Sequence, residues 1–79
     1  SFAPPTEALT DVPLRVLTRR AQEDIEERYL REGLTRFRGN VSRLAEVAGL
    51  DRRSIFEKLK RYNLRREDFR RGDAPPAAE

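Results

Sequence analysis

Seventy-nine residues suffice for one small domain, and a core of that size is marginal enough that oligomerisation is expected before any motif is read. The chain has no cysteine and no histidine, which excludes disulfides, thiolate or imidazole metal sites, cysteine nucleophiles and histidine acid–base chemistry together. The net charge of +3 is unevenly spread: residues 36–66 carry ten Lys/Arg against three acids, while residues 1–35 and 67–79 are each net negative, so the middle of the chain bears the footprint of a polyanion partner or, more blandly, a solvated basic helical surface.

In chain order, residues 1–10 hold two prolines and no periodicity and read as a linker. Residues 70–79, with Ala74-Pro75-Pro76-Ala77, read as a disordered tail. The folded part is expected over residues 11–69, all-α, with helices at about 12–37, 41–48 and 52–62. Asp11 and Pro13 suit a helix entry with a polar cap and a proline in the first turn. Leu14, Leu17, Ala21, Ile25, Tyr29, Leu30, Leu34 and Phe37 then recur at three- and four-residue intervals, a helical stripe of roughly six turns. Gly33 inside it predicts either a kink or the close approach of another backbone, and Gly39 is the natural stop.

Asn40 caps the second helix, in which Val41, Leu44, Ala45 and Ala48 form a one-sided apolar face ending at Gly49. Asp51 caps the third, with Ile55, Leu59 and Tyr62 on one side. Asn63 is its left-handed stop, and Leu64 folds back onto the core. No segment reads as a strand. No apolar run approaches the roughly 20 residues of a membrane span, and no signal peptide opens the chain, so a soluble, cytoplasmic location is expected.

Two short amphipathic helices joined through Gly49-Leu50-Asp51 are the parts of a helix-turn-helix. Small Ala45 lets the helices approach, Gly49 permits the turn, and Leu50 is expected to plug the junction. With Ile55, Leu59 and Tyr62 inward, the third helix turns Arg53, Glu57, Lys60 and Arg61 outward with Ser54 alongside. A helix of this width fits the major groove of B-form DNA, and its N-terminal residues, here Arg53 and Ser54, usually meet base edges.

The run Gly39-Asn40-Val41-Ser42-Arg43-Leu44-Ala45, followed by Gly49-Leu50-Asp51-Arg52-Arg53-Ser54-Ile55-Phe56-Glu57-Lys58-Leu59, resembles the Fis-type DNA-binding domain of NtrC-family bacterial enhancer-binding proteins, activators of the sigma-54 form of RNA polymerase. Pro13-Leu14-Arg15 and Glu26-Glu27-Arg28-Tyr29-Leu30 are similar to that family's dimerisation helix. The resemblance covers roughly residues 12–64. It implies a homodimer that sets two recognition helices in successive major grooves of a near-palindromic site, as the C-terminal module of a longer regulator. It implies phosphate contacts at Asn40, Ser42 and Arg43, a recognition-helix start at Arg52, Arg53 and Ser54, and a basic contact at Lys58 extended by Lys60 and Arg61. The chain departs from the pattern at Phe56, where the family often has Tyr, and at Glu57, where Arg or Lys is common. Arg38 replaces the first glycine of the usual pair.

Arg53 is the leading candidate for bidentate guanine readout, against a phosphate-only role. Glu57 either pairs with Arg53 or Arg61 at i, i+4, accepts from a cytosine amino group, or stays exposed. Ser54 is a DNA contact or simply a first-turn residue. Lys58, Lys60 and Arg61 add electrostatic affinity. The Tyr29–Phe37 part of the first stripe is expected in the core. Leu14, Leu17, Ala21 and Ile25 exceed what two short helices cover and call for a partner, by symmetry a second copy. Arg65-Arg66 and Arg70-Arg71, interleaved with Glu67-Asp68, read as a loosely helical or disordered extension in which Phe69 is a candidate anchor. No catalytic or metal-binding constellation, cofactor or small-molecule ligand is expected. The alternatives to specific double-stranded DNA binding are a helical protein-interaction module and a nucleoid-type non-specific binder.

Overall fold

The computed structural model describes residues 8–70. Most of the expected linker, residues 1–7, and the expected tail from residue 71 on lie outside the described residues. Three helices follow one another: α1, Leu14–Arg36; α2, Val41–Ala48; and α3, Arg52–Arg61. Single 3-10 turns flank them at Leu9–Asp11 and Arg66–Phe69. No strand occurs among the described residues, and the all-α reading stands. None of the helices described is long and apolar enough to cross a membrane.

The ends of α2 and α3 follow from local chemistry. The Asn40 side chain accepts from the Arg43 amide at 3.1 Å, and Asp51 accepts from the Ser54 amide at 2.9 Å, each satisfying one orphan donor of a first turn. Gly49 closes α2 in the left-handed region, φ 74°, with the Leu50 amide donating to the Ala45 carbonyl at 3.0 Å. A Cβ on Gly49 would meet nothing within 4 Å, so conformation rather than space demands glycine there. Asn63 takes the left-handed stop after α3, φ 57°. At the start of α1 the expected cap is corrected. Asp11 sits in the preceding 3-10 turn, and the helix begins at Pro13, whose carbonyl accepts from the Val16 and Leu17 amides. Asp11 is two residues too early to reach those donors.

The core gathers at one end of α1. Leu30 and Leu34 pack with Val41, Leu44 and Ala45 of α2, with Ile55 and Leu59 of α3, and with Leu64 and Phe69 from the C-terminal segment. Gly33 marks the closest approach. A Cβ there would collide with the Leu44 side chain, and α1 runs on unbroken. Neither a kink nor a neighbouring backbone explains this glycine; it makes room for a leucine.

Two further expectations change. Tyr29 is 44% exposed, because the buried line of α1 runs through Leu30, Gly33 and Leu34, about 100° around the helix from Tyr29. Leu50 does not plug the junction; it stays exposed at the rim of a cleft of about 220 Å³ between α1 and α3. The extension after Leu64, read as loose, is an ordered 3-10 turn held by buried Phe69.

Candidate nucleic-acid interface

The approach to α2 is made by a turn with two left-handed residues, Arg38 at φ 52° and Gly39 at φ 79°. The Gly39 amide donates to the Leu34 carbonyl at 2.9 Å, and the turn delivers Asn40 to its capping position. An L-residue in the left-handed region costs on the order of 1 kcal/mol, so Arg38 carries a conformational cost that glycine would not. The Arg43 amide is taken by the Asn40 side chain and the Leu44 amide by its carbonyl. The Val41 and Ser42 amides therefore remain as the outward donors of the first turn, at the positive end of the helix dipole. Asn40, Ser42 and Arg43 are all exposed around this end, and the Arg43 guanidinium lies 5.8 Å from the Phe37 ring centre.

α3 exposes the face that its pattern predicts. Ile55 and Leu59 are buried, while Arg52, Arg53, Glu57, Lys60 and Arg61 are exposed and Ser54 is half-buried. Arg53, Glu57 and Lys60 fall at i, i+4 and i+7, a single outward stripe. The Arg53 side chain is 86% exposed and its Nε lies 3.6 Å from Glu57 Oε2, the i, i+4 pair anticipated for Glu57. In free solution such a pair is worth little, but it biases the arginine rotamer on the outward face. Asp51, which caps this helix, is held below the usual carboxylate range by Ser54, through its side chain first and its amide second.

Lys58 departs from its expected role. It turns to α1, where its Nζ meets Glu26 Oε2 at 2.9 Å. The reason is angular: Lys58 lies on the flank between inward Ile55 and Leu59, not on the Arg53–Glu57–Lys60 stripe. The other oxygen of Glu26 accepts from the Tyr62 hydroxyl at 2.6 Å and lies 3.9 Å from Arg61 Nη1. One partly buried carboxylate thus ties three residues of the third helical segment to the first helix. The Tyr62 hydrogen bond, followed by that from Lys58, lowers the Glu26 pKa from its ordinary 4.5 to about 2. Burial first, and the bond to Glu26 second, raise that of Tyr62.

A pH dependence follows. A carboxylate whose pKa is lowered on folding contributes stability that is complete above the unfolded value near 4.5 and is lost as pH falls toward about 2. Glu26→Gln is expected to cost about 1–3 kcal/mol at neutral pH, since Lys58 loses its counter-charge. The gap between variant and wild type should narrow as the pH falls from about 4.5 to about 2. Urea melts at pH 7 and pH 3 check this; a gap independent of pH would show that the ionised carboxylate is not the source.

Glu26 is the residue that sequence reasoning missed as an individual. It lies one turn before Leu30 and two before Leu34, on the buried line of α1, and an acid at that position calls for a cationic or hydroxyl partner. That spacing was the available signal. Its partners were not legible, since they lie 32 and 36 residues away.

Residues 21–62 match the family described as "Bacterial regulatory protein, Fis family". Over 54 residues the chain is 43% identical to the nitrogen assimilation regulatory protein NtrX of Azorhizobium caulinodans. That alignment takes in 68% of this chain but spans only 11% of the length of the relative. No solved structure matches the chain.

Proposed function

The chain belongs to the Fis family of bacterial regulatory proteins, which are helix-turn-helix DNA-binding domains, and on that footing we propose that it reads a near-palindromic duplex site in the major groove as a homodimer, serving as the DNA-binding module of a transcriptional activator. The observation that carries this reading is the exposed Arg53–Glu57–Lys60 stripe on α3, set beside the outward amides of α2. Arg53 donates both arms of its guanidinium to a guanine edge, and Glu57 orients it. Arg52 and Ser54 meet the backbone or base edges beside it. Asn40, Ser42 and Arg43 anchor a phosphate at the start of α2. Lys60 and Arg61 add attraction that is largely indifferent to sequence. The reading needs no cofactor and no small-molecule ligand.

The dimer is proposed from the other half of α1. A helix of 23 residues is about 34 Å long, and its buried residues all lie in its last two turns. Upstream, Leu14 is 75% and Ile25 54% exposed, with Leu17 and Ala21 partly covered. Ile25 also lines the cleft shared with Leu50 and Tyr29, so the apolar row runs from the helix into a concavity. The same row on a second copy fits it by twofold symmetry. Ile25→Arg is expected to yield a folded monomer whose affinity for a two-half-site duplex falls to that of a single reading head. Sedimentation and a DNA titration check this, and a dimer that survives the charge would move the interface elsewhere.

The experiment that tests the whole reading is selection of bound duplexes from a random pool. Two inverted half-sites about 10 base pairs apart, one helical turn, are expected. A single asymmetric site would overturn the dimer, and the absence of any enriched sequence would overturn specific readout.

A further inference from the structure

Residues 63–70 lie beyond the stretch that matches the family, yet they are built into the body of the domain. Leu64 and Phe69 are both in the core, and the 3-10 turn between them packs against α1. The turn is pressed against the loop that leads into α2: a Cβ on Gly39 would lie 2.6 Å from the Arg66 carbonyl oxygen and 3.1 Å from Arg70 Cγ. The Arg66 side chain reaches α3, where its guanidinium lies 5.3 Å from the centre of the Phe56 ring. Arg52, in the first turn of α3, approaches the same ring at 5.9 Å. The C-terminal segment therefore joins the entry to α2 and the flank of α3, the two elements assigned to DNA.

The charges on this surface are not balanced within it. Glu67 lies 3.7 Å from Arg66, but among the described residues no carboxylate lies within 4 Å of Arg52, Arg43 or Arg70. Stacking on an aromatic face holds a guanidinium plane in place while leaving its N–H fork to point outward. Neither Arg66 nor Arg70 shares the Arg53–Glu57–Lys60 stripe, so neither is placed to read bases.

We infer that Arg66 and Arg70 bind DNA phosphates beside those met by the start of α2, so that the C-terminal turn widens the backbone footprint of each reading head. This rests on the DNA-binding reading above. The contacts carry no sequence information; they add affinity and salt dependence. Phe69 is the buried anchor that holds the turn in register for them.

The test is a salt titration of the whole chain on a duplex it selects, compared with Arg66→Gln/Arg70→Gln. The log–log slope of affinity against salt is expected to become shallower by about 1 for each arginine lost per subunit, with the preference among duplexes unchanged. Arg66→Lys, which keeps the charge, should keep most of the slope. Arg70→Gln alone, at an exposed position, should lose about one unit and guards against a double variant that folds poorly. Unchanged slopes in Arg70→Gln and the double variant would overturn the inference while leaving DNA binding intact. A wild-type chain that binds no duplex would overturn the DNA-binding reading, and the inference with it.

Discussion

Phe69→Ala is expected to cost about 3–5 kcal/mol, the usual price of emptying a buried aromatic site. A domain of about 60 residues has only about 3–9 kcal/mol to lose, so the variant should be largely unfolded or melt far below the wild type. The ring is 4% exposed and belongs to the same cluster as Leu34, Ile55 and Leu59. It closes the open end of a core that three short stretches of helix cannot close alone. Its loss would also free the Arg66–Phe69 turn from α1 and from Gly39. Urea or thermal melts followed by helix content measure the effect. A shift of less than about 1 kcal/mol, the scale of an ordinary surface substitution, would show that the segment lies against the core without supporting it.

The second large effect concerns recognition and leaves stability alone. Arg53→Ala removes an 86% exposed side chain whose one ion-pair partner, Glu57, is also exposed, so the melt should hardly move. Each bidentate base contact is worth about 1–3 kcal/mol of discrimination. In a homodimer every substitution is made twice, which raises the expected loss on a two-half-site duplex to about 2–6 kcal/mol, at least ~30-fold in affinity. Binding to unrelated duplex should weaken far less, because the phosphate contacts remain. Competition between the selected duplex and a scrambled one reads the difference directly. An equal loss on both would reassign Arg53 to the backbone.

These two substitutions mark the two layers of the molecule. Phe69 acts through the core and changes every property at once, whereas Arg53 acts only when DNA is present. Glu26 sits between them. It is partly buried and tied to Lys58 and Tyr62, so it sets how the recognition helix stands on the helix proposed to pair the subunits.

Much of this was legible in the residues. Asn40 and Asp51 cap the two short helices, Gly49 and Asn63 stop them, and Ile55 and Leu59 turn the Arg53–Glu57–Lys60 stripe outward. Each of these features depends on residues within about four positions of one another, the range over which helix periodicity and capping operate. Helix bounds and the outward face of α3 were therefore determined by sequence alone. Which line of α1 is buried was not, because Ile25–Tyr29 and Glu26–Leu30–Leu34 are neighbouring lines on one helix, and only the position of α2 and α3 chooses between them. Nor was the turning of Lys58 away from the exposed stripe, the space that Gly33 leaves for Leu44, or the ordering of Arg66–Phe69. Those depend on partners far away in the chain, and a contact across such a distance exists only once packing has brought the two segments together.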